Sequence, residues 1–344
     1  MTNLYSLGLG VGTRNTKDEW LEVFYPHPLL HPAPALCQAV ADIVGHNGAN
    51  SAMPITNEQA GLLAQSFRSL GETALADITN AMQGSDRPLV VTMLATDAAP
   101  ASVPEAYLKL HLLSHRLVQP HGINLTGLFG VLKNVAWTNE GAVDLEELPA
   151  RQLQARLAGR LLSVDCVDKF PKMTNYVVPA GVRIAHTARV RLGAYLGEGT
   201  TIMHEGFVNF NAGTLGTSMV EGRISAGVVV GEGSDLGGGS STMGTLSGGG
   251  NIVISLGKGC LLGANAGIGI PLGDRCTVES GLYITAGTKV AVLDASNNLV
   301  EHVKARDLAG KSDLLFRRNS LTGVVECKTN RNAVALNEEL HAHN

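Results

Sequence analysis

The stretch TSMVEGRISAG (217–227) places a carboxylate, Glu221, and a guanidinium, Arg223, on either side of a glycine. Such a carboxylate can take a proton from an attacking amine or engage an acyl group, and the guanidinium can grip a carboxylate. Soon after comes GGGSSTMGTLSGGG (237–250), whose N–H groups could receive a developing oxyanion. The plainer reading is a surface Glu and an Arg that pairs with Glu205. His204-Glu205 forms a second constellation, with His186 eighteen residues earlier. Zinc catalysis needs three protein ligands, and this region supplies two imidazoles. Three copies of Glu205 around a threefold axis would instead gather a hard cation such as Mg²⁺ or Ca²⁺. Lys304, Arg306, Lys311, Arg317, Arg318 and Lys328 make the C-terminal segment basic. That charge would suit a phosphorylated ligand such as coenzyme A, or simply a solvated hairpin.

These groups need a frame, and the spacing of the aliphatic residues supplies one. Val178, Ile184, Val190, Leu196, Ile202 and Val208 recur every sixth position, and Val220 keeps that phase. Ile254, Cys260, Ala266, Leu272, Val278, Ile284 and Val290 repeat at the same period, in a second phase shared by Val230 and Leu236. One frame slip between Val208 and Val230 joins the two runs. Period six fits neither a lone helix nor a lone strand. It fits a solenoid whose hexapeptides are each a short strand plus a corner, with three to a triangular coil and about six coils in all. Residues eighteen apart then stack, which predicts His186 under His204, Glu205 under Arg223 and Met203 under Glu221.

Composition agrees with a thin core. Aromatic residues are 4% of the 344, and there are 41 glycines. The formal net charge of −4 gives no basis for a general attraction to nucleic acid or to an anionic membrane. The first residues lack a signal-peptide pattern, and no apolar run is long enough to span a bilayer. Five scattered cysteines without a CxxC read as buried thiols of a reduced, cytoplasmic protein. There is no Walker pattern, and GLGVG (8–12) lacks the remainder of a dinucleotide fingerprint.

Residues 1–145 read as an α/β domain. APALCQAVADIVG and NEQAGLLAQSFRSL have helical periodicity, and RPLVVTML reads as a buried strand. A capping box at Ser102 and Glu105 opens another helix, which Pro120 should end. Residues 146–174 read as a helical connector, 175–292 as the solenoid, and 293–344 as a hairpin with Asn319-Ser320 at its turn followed by a short helix.

With these features in view, VRLGAYLGEGTTI and SLGKGCLLGANAGI resemble the hexapeptides of the left-handed parallel β-helix acyltransferases. MVEGRISAGVVVGEGSDLGGGSST, with the α/β domain before it and the basic extension after it, is similar to the tetrahydrodipicolinate N-succinyltransferase family over essentially the whole chain. The resemblance implies a homotrimer with sites between neighbouring prisms. It implies succinyl transfer from succinyl-CoA to the amine of tetrahydrodipicolinate, on the route to diaminopimelate and lysine. It places Glu221 as the active-site carboxylate. Arg223, Gly238, Ser241, Ala264, Glu279, Ser280, Gly287, Lys304, Arg317, Arg318, Asn319 and Ser320 become coenzyme contacts, and Glu205 a magnesium-binding carboxylate. The alternatives are another coenzyme A-dependent acyltransferase on the same fold, such as an acetyltransferase, and a non-catalytic solenoid. An acetyl group, unlike succinyl, needs no cation for a distal carboxylate.

Overall fold

The computed structural model describes residues 3–244 and 252–329. Its contacts fall into two compact units. One holds the chain up to Val118 with Gly122–Pro171 and Asn175–Val177; the other holds Gln119–His121, Lys172–Thr174 and the chain from Val178 onward.

The first unit is built on an antiparallel sheet. Strand β1 (Ser6–Arg14) pairs with β2 (Trp20–Phe24), β3 (Leu29–Leu30) and β5 (Leu89–Leu94), and β4 (Ser51–Ile55) pairs with β5. Every residue of β5 is buried. The glycines of GLGVG have a steric cause, since a methyl group on Gly8 or Gly10 would lie 2.7–2.8 Å from the ring of Tyr25. They make room for a buried ring rather than a nucleotide.

Helices α1 (Pro34–Val44) and α2 (Asn57–Ser69) form where their periodicity predicts. Helix α3 (Thr73–Met82) has no side-chain cap, and its threonines and asparagine are weak helix formers, so the sequence did not announce it. Helix α4 (Val103–Ser114) begins at the expected cap, with the Ala101 N–H donating to Glu105 Oε2 at 3.1 Å. It ends at Ser114, well before Pro120, because Arg116 turns left-handed at φ 62°. Residues 146–174 carry a helix, Leu148–Leu157, and also a strand, Val164–Asp168, which pairs with Val135–Thr138.

The second unit is a parallel β-helix with three ladders. Ile184, Ile202, Val220, Leu236, Leu262 and Val278 stack on one face. Leu196, Thr214, Val230, Leu256 and Leu272 stack on the second. Val190, Val208, Ile224, Thr242, Ile268 and Ile284 form the third. Except for half-buried Ile184, all of these residues are buried. They constitute the core of the prism, and Phe316 adds a ring above Val278 where the ladder ends.

The register corrects the period-six reading in four places. Val178 is 65% exposed and belongs to no ladder. The slip between Val208 and Val230 is a tight corner, in which Ile202 to Val208 spans six residues on one coil and Val220 to Ile224 only four on the next. A second tight corner separates Ile268 from Leu272. It escaped notice because Ile254, Cys260 and Ala266 are buried two residues before Leu256, Leu262 and Ile268, at the second inward position of a strand that alternates in and out. Finally, Val290 stacks on no earlier coil: its strand, Lys289–Leu293, pairs antiparallel with Leu299–Lys304 and in parallel with Val325–Thr329.

Fourteen residues rather than six separate Thr242 from Leu256, the next inward residue, and of these 245–251 lie outside the described part. Asp294–Asn298 turn the first C-terminal hairpin, with Asp294 Oδ1 accepting from the N–H groups of Ser296 and Asn298. The second hairpin pairs Leu314–Arg318 with Val325–Thr329. Its turn runs from Asn319 to Val324 and is wider than the two residues expected, because Asn319 Oδ1 accepts from both Leu321 and Thr322. The short helix expected near the end of the chain lies outside the described residues.

Candidate active site

One corner of the prism gathers most of the candidate residues. Directly after the inward residues of the first ladder come Met203, Glu221, Gly237, Gly263, Glu279 and Arg317. The N–H groups of Met203, Glu221, Gly237, Gly263 and Glu279 each donate to the next coil's inward residue, at Val220, Leu236, Leu262, Val278 and Phe316. Gly238, Ala264, Ser280 and Arg318 follow one residue on. Four rungs from Glu221 to Arg317, at ~4.8 Å each, make a track of roughly 19 Å. Small residues keep it smooth because the coils touch there: a methyl group on Gly263 would sit 2.5 Å from Ser280 N.

Glu221 is half-buried at one end, with its Oε2 facing Gly238. Met203 lies beneath it, as the eighteen-residue spacing predicts. Glu205 does not lie beneath Arg223. The tight corner after Val220 puts Phe207 opposite Arg223 instead. Arg223 lies over Ser241 and donates to its Oγ from Nη2 at 2.7 Å and Nε at 3.2 Å. Glu205 pairs with Arg189 at 2.8 Å and accepts from His204 Nδ1 at 2.7 Å. The His204 hydrogen bond, with Arg189 beside it, holds the Glu205 carboxyl below the usual range. His186 lies under His204 as predicted, with ring centroids 5.1 Å apart. Among the described residues of this one chain, no group of three His, Cys, Asp or Glu is placed to hold a metal ion.

A cleft of about 420 Å³ opens beside this corner, lined by Arg189, Glu205, Phe207, Gly222, Arg223, Gly239 and Ser240. The N–H groups of Gly237, Gly239 and Ser240 donate to the carbonyls of Leu262, Glu221 and Gly237, so these three amides are already engaged and do not supply the expected oxyanion donors.

The basic segment divides. Lys289, His302, Lys304, Arg306 and Asp307 line a second cleft of about 780 Å³. Gly287 sits beside it, because the N–H groups of Ala305 and Arg306 donate to the carbonyls of Thr288 and Ala286. Arg317 is committed to Glu326 at 2.8 Å, and Asn319 donates to the same carboxylate. Those bonds hold the Glu326 carboxyl below its ordinary range. Arg318 donates its backbone N–H to Glu279 Oε2 at 2.7 Å, which ties the hairpin to the top of the track. Ser320 is exposed on the turn.

Arg189, Phe207, Lys289 and Ser240 did not emerge from the sequence. For Arg189 and Phe207, the signal was hidden by the shortened corner. Four of the five thiols are buried, and Cys166 is partly exposed. No helix among the described residues is long and apolar enough to cross a membrane.

Comparison with known proteins gives concordant results. Family models described as tetrahydrodipicolinate N-succinyltransferase N-terminal, tetrahydrodipicolinate N-succinyltransferase middle, and hexapeptide repeat of succinyl-transferase match residues 68–130, 132–172 and 253–286. Relatives named 2,3,4,5-tetrahydropyridine-2,6-dicarboxylate N-succinyltransferase are 68% identical over 342 residues in Pseudomonas paraeruginosa and 62% identical over 340 in Vibrio cholerae, each alignment covering 99% of both chains. A solved structure from Campylobacter jejuni, provisionally assigned as a 2,3,4,5-tetrahydropyridine-2-carboxylate N-succinyltransferase, superposes with a TM-score of 0.89 at 35% identity, covering 97% of this chain and 94% of that one. With its hexapeptide prism and its Glu-Gly-Arg corner, the chain belongs to the tetrahydrodipicolinate N-succinyltransferase family.

Proposed function

We propose that the chain transfers succinyl from succinyl-CoA to the amine of tetrahydrodipicolinate, in its L-2-amino-6-oxopimelate form, in the diaminopimelate and lysine pathway. The observation that carries this reading is the corner track. It has a carboxylate at one end, a smooth run of glycine, alanine and serine in the middle, and cations at the other end. A long coenzyme with a phosphorylated head fits that order. Lys304 and the neighbouring cations meet the phosphates, Gly287, Ser280, Glu279, Ala264 and Gly238 flank the arm, and the thioester arrives near Glu221. Arg318, Asn319 and Ser320 close over the coenzyme from the hairpin, and Arg317 braces that hairpin through Glu326.

Glu221 accepts the proton of the attacking amine as nitrogen adds to the thioester carbonyl. Coenzyme A then leaves as the tetrahedral carbon collapses to an amide. Holding both reactants on one rigid corner replaces a bimolecular encounter with a positioned one. Both substrates are anions, so local guanidinium groups act despite the net negative charge.

The prism is left-handed, the hand of the acyltransferases its hexapeptides resemble, and three copies form a homotrimer. Three Glu205 carboxylates around its axis would hold a hard cation, Mg²⁺ or Ca²⁺. One chain offers the oxygen donor such an ion prefers, and Arg189 balances that charge in its absence. The ion would join subunits, and no chemical step runs through it. Free thiols and the absence of paired cysteines suit the cytoplasm.

Incubation with succinyl-CoA or acetyl-CoA and the acceptor, following free thiol release, tests the reading. It predicts a large preference for succinyl-CoA, and a clear preference for acetyl-CoA would overturn it.

A further inference from the structure

The second cleft, of about 780 Å³, sets two lysines against each other. Strand Lys289–Leu293 pairs antiparallel with Leu299–Lys304, and the register puts Lys289 directly opposite Lys304. Residues so opposed project from the same face with Cβ atoms about 4.5–5.5 Å apart, and like charges there repel. His302, two residues before Lys304, shares that face. Arg306 lines the same cleft, and its Nε donates to the Ala286 carbonyl at 3.4 Å, which leaves its Nη groups. All four side chains are exposed. The protein does not neutralise the pair from within. Asp307, the carboxylate of the cleft lining, accepts from the Lys304 backbone N–H at 3.1 Å, and among the described residues neither lysine forms an ion pair. Gly287 has no atom within 4 Å of where a Cβ would stand, so the approach to the pair is open.

Two ammonium groups on one face of a two-stranded ribbon, with an imidazole beside them, match the several oxygens and the double charge of a phosphate group. We propose that Lys289 and His302 join Lys304 in a clamp for one phosphate group of the coenzyme. The opposed lysines repel in the free protein, and the bound anion removes that repulsion. This inference rests on the assignment of the corner track as the acyl-CoA site. The coenzyme carries two sources of the chemistry, the phosphate monoester on its ribose and the diphosphate.

The test is steady-state kinetics and thermal unfolding of full-length Lys289→Gln and His302→Gln, with succinyl-CoA and with succinyl-dephospho-CoA, which lacks the ribose phosphate. Losing a hydrogen bond between charged groups is expected to raise the succinyl-CoA KM of Lys289→Gln about 10- to 100-fold with kcat little changed. His302→Gln is expected to raise it about 2- to 10-fold. If the clamp holds the ribose phosphate, the wild-type protein already shows a raised KM for the dephospho donor, and Lys289→Gln adds nothing to it. If the clamp holds the diphosphate, Lys289→Gln raises the KM for both donors by the same factor. In either case the Tm of free Lys289→Gln stays level or increases, because the opposed charges are relieved. A Lys289→Gln protein whose succinyl-CoA KM is within twofold of wild type overturns the inference, as does one that loses only kcat and Tm. An unchanged KM in His302→Gln removes His302 from the clamp. Wild-type turnover of succinyl-CoA with an unaltered Lys289→Gln KM defeats the clamp alone; absence of wild-type turnover removes the corner-track reading and the clamp with it.

Discussion

The two units solve the problem of a core in opposite ways. The first surrounds a sheet with helices and buries large side chains at many contacts, among them Tyr25, Phe67, Tyr107 and Met93. It also buries titratable groups. His111 is fully enclosed, with its Nε2 accepting from the Tyr25 N–H at 3.2 Å and its Nδ1 donating to the Tyr107 carbonyl at 2.7 Å. The prism has one ladder residue per face per coil, aliphatic except at Thr214 and Thr242. Its charged groups Glu205, Arg223 and Glu279 stand on the outside, with Asp235 a buried exception. A thick core can hide polar chemistry; a thin one displays it along an edge, in register, where an extended ligand can read it.

The sharpest challenge to that contrast is Leu262→Ala. Only the smaller Cys260 shares the inside of that strand, so little can repack and the loss should lie toward the upper end of about 2–5 kcal/mol, read from the denaturant midpoint. A cost below ~1 kcal/mol would mean the ladder is not the core.

Next comes acid sensitivity of the first unit. Burial pushes the His111 imidazole from 6.5 down to about 3. The unfolded chain therefore binds a proton that the folded one refuses, so stability is complete above pH 6.5 and falls as pH drops from there toward 3. A chemical-denaturation series across that range, monitored at the N-terminal tyrosines, should show this slope. A flat profile would place His111 in contact with water.

Gly263→Ala follows, at about 1–3 kcal/mol, because its methyl group would press on the Ser280 backbone where two coils touch. Thermal unfolding checks this, and succinyl-CoA titration should show the track narrowed. The smallest effect is Gly287→Ala. Nothing lies within 4 Å of the added carbon, so stability should change by no more than about 0.5 kcal/mol. Any fall in coenzyme affinity there reports ligand contact rather than folding.

The contrast also explains what could be read in advance. A period of six is a one-dimensional signal, and it revealed the prism, its ladders and the Glu221 corner. It failed where the chain departs from six. The four-residue corner between Val220 and Ile224 moved Arg223 from Glu205 to Phe207, and fourteen residues rather than six separate Thr242 from Leu256. Cys260 kept the beat while occupying the second inward position, two residues before Leu262. In the first unit, helices α1, α2 and α4 announced themselves through caps and periodicity. The role of Gly8 and Gly10 depended on a ring fifteen or more residues away, which no local pattern encodes.

The most direct test of the central claim is turnover by Glu221→Gln, with Tm and oligomeric state measured on the same sample. The corner-track account predicts a kcat loss of about 10²–10⁴-fold with folding and assembly intact. A correctly folded Glu221→Gln protein that turns over succinyl-CoA at the wild-type rate would contradict it.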